Sequence, residues 1–171
     1  MKEIVYNSDN LKDSDINDIV VRTKALIING NNILLGNESG RYQFIGGHLE
    51  NGESFSECLI REIKEESGIE LSLSEIGEPF FKIIYLNKDY PKVGINRKNE
   101  IYYYLVKTNK LPNLDNTCLT ENEKYKNYKV EVVLLDCVIQ FLKDNILDNE
   151  KNYIVSRDMI LVLEEYFKRM S

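Results

Sequence analysis

No tryptophan occurs in the 171-residue chain, histidine occurs once, at His48, and cysteine and proline occur three times each. One histidine excludes a zinc site built on several imidazoles, and it leaves a Ser-His or Cys-His nucleophile only a single base to draw on. Cys58, Cys118 and Cys137 are far apart and odd in number. Neither a disulfide framework nor a CxxC metal knuckle is therefore available, and all three read as buried thiols. No apolar run approaches the roughly 20 residues that span a bilayer, and the opening Met1-Lys2-Glu3-Ile4-Val5-Tyr6 lacks the apolar stretch of a signal peptide. A cytoplasmic protein with no membrane partner is expected.

What the chain has in quantity is carboxylate. Asp+Glu number 28 against 22 Lys+Arg, a formal charge of −6, which argues against a broad phosphate-backbone footprint on nucleic acid. Acid-rich chemistry points to a hard metal ion or to general acid/base work. With 43% apolar and 29% charged residues the chain reads as one domain over 1–171, with a polar, irregular N-terminal arm at about 1–18 and a C-terminal helix at about 156–170.

Strands are expected at Val20 to Ile28, at Ile33 to Gly36 after the turn Asn29-Gly30-Asn31-Asn32, and at Tyr42 to Ile45 before Gly46-Gly47. Ser54-Phe55-Ser56-Glu57 has the form of a capping box, so a helix is expected from there to about Ser67, with Gly68 ending it. Further strands read at Phe80 to Leu86, Ile101 to Val106 and Val130 to Leu134. Asp136 is placed as the cap of a short helix through Lys143, and Ser156 as the cap of the last helix. Strands, a helix, more strands and a helical end suit an α+β or α/β/α arrangement with a central mixed sheet.

On a helical wheel of Phe55 to Glu66, Leu59, Cys58 and Ile63 form the buried side, and Glu62, Glu65 and Glu66 fall on an arc that overlaps it. Glutamates on a helix are ordinarily solvated. Three together form like-charge pairs at i,i+3 and i,i+4, each costing a few tenths of a kcal/mol, and desolvation adds to that cost. A divalent cation turns this repulsion into a shared ligand set. Oxygen donors favour Mg²⁺, Mn²⁺ or Ca²⁺, and Mg²⁺ commonly shares its shell with substrate phosphates. The Gly46-Gly47 turn beside this helix allows close backbone approach of a ligand.

From Gly47 to Ile69 the chain reads Gly47, five residues, Glu53, seven residues, Arg61-Glu62-Ile63-Lys64-Glu65-Glu66-Ser67-Gly68-Ile69. This resembles a complete Nudix box, the signature of the Nudix hydrolases. Arg22 on an early strand and Tyr42 before the double glycine agree with the resemblance; Ile45 in place of a frequent proline and the missing tryptophan depart from it. The resemblance implies an α/β/α sandwich and divalent-metal-dependent hydrolysis, by attack at phosphorus, of a nucleoside diphosphate linked to another moiety. It also implies that Glu62, Glu65, Glu66 and the Gly47 carbonyl hold metal, that Glu53 bridges to Arg61, and that the proton acceptor is Glu65, Glu66 or a glutamate from a later loop, here Glu100, Glu121 or Glu123.

Arg22, Arg41 and Lys82 are candidate phosphate contacts, though a strand-end cation is more often solvated. His48 is a candidate substrate contact, weighed against a backbone-bonding role in the turn. Tyr42, Tyr85 and the run Tyr102-Tyr103-Tyr104 are candidate nucleobase platforms, of which alternation assigns at least one of the run to the core. Tyr85 also sits at about the spacing seen in dinucleoside polyphosphate hydrolases of that family. Two other functions compete: a non-catalytic nucleotide sensor, which would tend to lose ligand glutamates, and an RNA 5′-end pyrophosphohydrolase, which needs a cationic rim such as Lys124, Lys126 and Lys129. The N-terminal arm and the apolar last helix are compatible with a homodimer contact.

Overall fold

The computed structural model describes residues 1–148 and 152–170. Its strands are β1 (Lys2–Tyr6), β2 (Asp18–Asn29), β3 (Asn32–Glu38), β4 (Arg41–Gln43), β5 (Pro79–Asn87), β6 (Arg97–Lys107) and β7 (Lys129–Leu134). Its helices are α1 (Phe55–Ser67), the short α2 (Glu121–Tyr125), α3 (Val138–Asp148) and α4 (Tyr153–Met170). The strands form one mixed sheet in the order β1-β5-β6-β2-β3-β4, with β7 also on β3. The β1/β5 and β2/β6 pairs are parallel, and the others are antiparallel.

Alternation along the central strands feeds two cores. Ala25 and Ile27 join Leu34, Ile45 and Tyr104 beneath Leu59 and Ile63 of α1. Leu26 and Ile28 join Phe44, Phe81 and Tyr103 beneath Val138 and Leu142 of α3 and Met159, Val162 and Leu163 of α4. The result is a three-layer α/β/α sandwich. Of the tyrosine run, Tyr103 faces one core, and Tyr102 and Tyr104 face the other.

One irregularity positions the site. β3 pairs with β2 only through Asn32, Ile33 and Leu34, and then with β4 through Gly36, Asn37 and Glu38. The stretch Ile45 to His48 takes the vacated place beside β2, with bridges Ala25↔Ile45 and Arg22↔His48. The Thr23 N–H donates to the Gly47 carbonyl at 3.0 Å and the Leu49 N–H to the Val21 carbonyl at 3.0 Å. The sheet thus splits at Gly46-Gly47, directly above α1.

Four expectations are corrected. The N-terminal segment is not irregular throughout: Lys2 to Tyr6 form an edge strand aligned with Phe81 to Tyr85, and Ile4 and Tyr6 pack on the core. Asp136 lies inside a 3₁₀ turn, Leu135–Cys137, that runs into α3, rather than capping it. α4 begins three residues ahead of Ser156, which is fully buried within it and whose hydroxyl has no hydrogen-bond partner among the described residues. Of the cysteines, Cys58 is buried but Cys118 and Cys137 are exposed. The two segments considered for a dimer contact are engaged within the chain, β1 in the sheet and the apolar side of α4 in the core.

β1 and α4 are tied together through Tyr85. Its hydroxyl donates to Asp158 at 2.6 Å and accepts from Arg157 at 2.7 Å, its ring stacks on Tyr6 at 4.9 Å, and the Arg157 guanidinium lies 4.4 Å from the Tyr6 ring centre. Asp158 is 5% exposed, so its charge depends on these donors. Replacing Tyr85 by Phe removes a hydrogen bond to a charged group and is expected to cost about 1.5–3 kcal/mol of stability, read from urea denaturation. A change below about 0.5 kcal/mol would show that the tie contributes little.

Candidate active site

α1 is built to present acids at the split. The Ser54 hydroxyl accepts the Glu57 N–H at 3.3 Å, the Glu57 carboxylate accepts the Ser54 N–H at 2.8 Å, and Gly68 closes the helix in the left-handed region at φ 69°. Burial of Leu59 and Ile63, worth about 1.5–3 kcal/mol each, sets the rotation of the helix. That rotation sends Glu62 and Glu66 toward Gly46-Gly47. Gly46 has φ +134°, and a Cβ there would run into the backbone of Thr23; a Cβ on Gly47 would occupy the place of the Glu62 carboxylate. Gly46 is required by its backbone conformation and by this close approach, and a side chain on Gly47 would push the Glu62 carboxylate from its place.

Glu66 is 5% exposed, and the Glu62 and Glu65 side chains are 14% and 39% exposed. Desolvation raises both buried carboxyls: Glu66 to about 7, with Lys24 and the Tyr128 hydroxyl opposing, and Glu62 upward with Arg61 opposing. The Glu66 Oε2 accepts the Tyr128 hydroxyl at 2.5 Å and the Gly46 N–H at 3.4 Å.

Arg61 divides the remaining acids. Its Nε and one terminal nitrogen bind the two Glu53 oxygens at 2.7 and 3.0 Å. The other terminal nitrogen donates to Glu62 at 2.9 Å and Glu65 at 3.2 Å, and the nitrogen that binds Glu53 also donates to the His48 carbonyl at 3.1 Å. The bridge to Arg61 holds Glu53 down at about 2, and the same carboxylates stabilise the guanidinium charge.

Among the described residues no three His, Cys, Asp or Glu side chains converge as a ready cation shell. The donor chemistry fits one: the desolvated Glu62 and Glu66 carboxylates lie at the glycine turn, and the more exposed Glu65 shares an Arg61 nitrogen with Glu62, all with oxygens suited to Mg²⁺ or Mn²⁺. A cation there would share Glu62 and Glu65 with Arg61, and Glu66 with Tyr128, whose hydroxyl engages only one of the Glu66 oxygens. The Gly47 carbonyl has one lone pair engaged by Thr23.

Cations approach the same turn from β2. The Lys24 ammonium donates to the Gly46 carbonyl and feels Glu66 and Glu62, while burial lowers its pKa. Arg22 donates to the His48 Nε2 at 2.9 Å and to the Asn99 side-chain oxygen. His48 is therefore a neutral acceptor, its pKa lowered by burial and by Arg22.

Glu53, Arg61, Glu62, Glu65, Glu66, Gly47, His48 and Arg22 are thus brought together, and exposed Arg41 acts on Lys24 through its charge. Other candidates are engaged elsewhere. Tyr42 packs edge-on against Phe141 at 4.7 Å and reaches Glu131, and Tyr85 belongs to the α4 tie. Glu100 is bound by Lys98 at 2.8 Å, Tyr102 at 2.9 Å and Lys82 at 3.2 Å. Glu121 and Glu123 lie on α2, not in a loop: Glu121 pairs with Lys124, and Glu123 caps Thr120 at 2.6 Å, although its charge is felt at Glu66. Lys24 and Tyr128 were not singled out from sequence. Lys24 carried a usable signal, its i,i+2 spacing from Arg22 on a strand; Tyr128 lies 62 residues from Glu66 and carried none.

A family model described as NUDIX domain matches residues 19–147. A NAD-capped RNA hydrolase, NudC, of Vibrio atlanticus is 46% identical over 48 residues, covering 26% of this chain and 18% of that protein. A nucleoside triphosphatase, NudI, of Escherichia coli is 41% identical over 68 residues, 39% of this chain and 46% of that protein. The chain spans less than half the length of these curated relatives. Among solved structures, a MutT protein of Bacillus halodurans aligns with TM-score 0.53 at 20% identity over 71% of this chain and 72% of that one. A MutT NUDIX hydrolase of Burkholderia pseudomallei aligns with TM-score 0.51 at 19% identity over 70% and 86%. These two share the fold.

The raised Glu66 carboxyl has a consequence for the metal-free protein. Its native pKa near 7 exceeds the ordinary 4.5, so its contribution is neutral below about pH 4.5, increasingly destabilising from there to about pH 7, and level above that. Glu66→Gln is expected to stabilise the chain in EDTA by up to about 3 kcal/mol at pH 8 and by little at pH 5. Equal gains at both pH values, measured by denaturant titration, would contradict the assignment.

Proposed function

The chain belongs to the Nudix family, and from that premise we propose that it is a Mg²⁺- or Mn²⁺-dependent pyrophosphohydrolase acting on a small nucleotide derivative, a nucleoside diphosphate joined to a further phosphate, sugar or nucleotide. The observation that carries this reading is the meeting, at one glycine turn, of desolvated carboxylates from α1 with Lys24 of β2, beside which lies Arg22; among the described residues the two side chains donate to neutral acceptors. Such a site has acid to hold a divalent cation and positive charge left for a polyphosphate.

Glu62, Glu65 and Glu66 would hold the cation, which when bound polarises phosphoryl oxygens and lowers the pKa of water. Glu53 fixes Arg61, and Arg61 in turn orients Glu62 and Glu65, as outer hydrogen bonds do for ligand carboxylates. Arg22 and Lys24 bind the phosphoryl group that does not react. Glu65 is the most exposed of the three acids, and it receives the proton of the attacking water on the oxygen that Arg61 leaves free. A nucleotide substrate and unpaired cysteines go with a cytoplasmic setting, and among the described residues no helix is long and apolar enough to cross a membrane. The folded unit is taken to be one domain.

An RNA 5′ end is less favoured. Lys124, Lys126 and Lys129 are each paired with an acid, Glu121, Glu38 and Glu131, at 2.8, 3.2 and 2.8 Å, so they form no free cationic rim. A non-catalytic sensor is disfavoured by the intact glutamate set.

Purified protein with Mg²⁺ is expected to turn over at least one of a panel of nucleoside triphosphates, nucleotide sugars, dinucleoside polyphosphates and capped RNA. The Glu65→Gln, Glu66→Gln double variant should lose at least about 100-fold in kcat/KM, beyond the cost of an outer hydrogen bond. Arg22→Ala should raise KM about tenfold with a smaller effect on kcat. Silence across the panel, or wild-type turnover by the double variant, would refute the reading.

A further inference from the structure

Tyr128 lies just before β7, outside the Nudix box, and is 7% exposed. Its hydroxyl donates to the Glu66 Oε2 at 2.5 Å, the shortest of the contacts that bind Glu66. The ring reaches Glu66 by crossing β3 over Gly36, where any Cβ would overlap the hydroxyl and the ring carbons. Gly36 is a paired strand residue, opposite Val130 of β7 and Gln43 of β4. Glycine weakens a strand interior, so its presence there marks a close approach.

The segment leading to Tyr128 is itself fastened to α1. The Asn113 N–H donates to the Ser67 carbonyl and the Cys118 N–H to the Glu65 carbonyl, both at 2.9 Å, and the Tyr128 N–H donates to the Glu123 carbonyl at 2.9 Å. The connection between β6 and β7 therefore runs from the end of α1, through α2, to a hydroxyl aimed at a carboxylate of α1.

We propose that Tyr128 is a positioning residue for the cation site: its hydroxyl fixes one Glu66 oxygen so that the other faces the cation, and Gly36 is the opening that admits it. This rests on the reading of Glu66 as a cation ligand. A carboxylate held by one donor loses rotational freedom before the cation arrives, which strengthens binding without adding a ligand. Tyr128 touches neither substrate nor cation, and its effect reaches the reaction only through Glu66.

The test uses the full chain and Mn²⁺ alone, titrated by electron paramagnetic resonance without substrate. Tyr128→Phe keeps the ring and removes the hydroxyl; it should weaken Mn²⁺ binding 10- to 100-fold, while the variant stays folded in EDTA with its thermal midpoint lowered by no more than the loss of one buried hydrogen bond brings. Gly36→Ala, which displaces the ring, should weaken it likewise. In a Glu66→Gln background Tyr128→Phe should have no further effect, because the two act through one hydrogen bond. In turnover assays the Mg²⁺ concentration for half-maximal rate should rise by the same factor, with kcat at saturating Mg²⁺ largely restored.

Wild-type Mn²⁺ affinity in Tyr128→Phe would overturn the proposal, as would a lowered midpoint in EDTA with affinity unchanged, which is the mark of packing alone. If wild-type protein binds Mn²⁺ and Tyr128→Phe binds it weakly, but no nucleotide is hydrolysed, the hydrolase reading fails and the role of Tyr128 stands. If nucleotides are hydrolysed and the variant binds Mn²⁺ normally, the reverse holds. Absence of Mn²⁺ binding by the wild type overturns both.

Discussion

The site depends on one guanidinium. Arg61 holds Glu53 with two parallel hydrogen bonds and shares a single nitrogen between Glu62 and Glu65. Without it, acids on one helix face would meet at i,i+3 spacing under partial desolvation, each raising the ionisation cost of the next. With it, α1 can place Leu59 and Ile63 in the core and still carry carboxylates along the edge of that buried face. Bidentate geometry makes arginine suited to this role, since a lysine offers no planar fork.

The arginine cannot reach Glu66, and there the sheet takes over. Because β3 leaves β2 after Leu34, the Gly46-Gly47 turn fills the gap and exposes both layers to each other: Glu66 reaches up from α1, and Lys24 reaches the same turn from β2. Side chains on β2 that alternate toward the α4 side thereby act on acids from the helix beneath. The opposing charges of Lys24 and Glu66 limit, without abolishing, the desolvation cost that raises the Glu66 carboxyl. Acid and base are both incompletely neutralised here, a balance that the overall charge of −6 conceals.

Legibility from sequence followed the range of the interactions. α1 was readable to the residue, because its cap Ser54, its box partner Glu57 and its terminator Gly68 all act within a turn. The Glu53–Arg61 bridge followed from the family resemblance, and the abnormal acid face from the helical wheel. β1 was missed because five residues of mixed character become a strand only on finding β5 nearly 80 positions later. Ser156 was misread as a cap because capping residues carry the same composition inside a helix; only the start of α4 at Tyr153 distinguishes them. Tyr85 looked like a nucleobase platform, yet Asp158 and Arg157 close on it from α4, a contact no local pattern encodes.

A divalent-cation site that directs water to phosphorus is tested most directly by where water enters the product. Hydrolysis of the best nucleotide substrate in H₂¹⁸O with Mg²⁺, analysed by mass spectrometry, should place one ¹⁸O in a phosphate-bearing product, and the reaction should stop in EDTA. Label in a non-phosphate product, or undiminished hydrolysis in EDTA, would contradict a divalent-cation site that directs water to phosphorus.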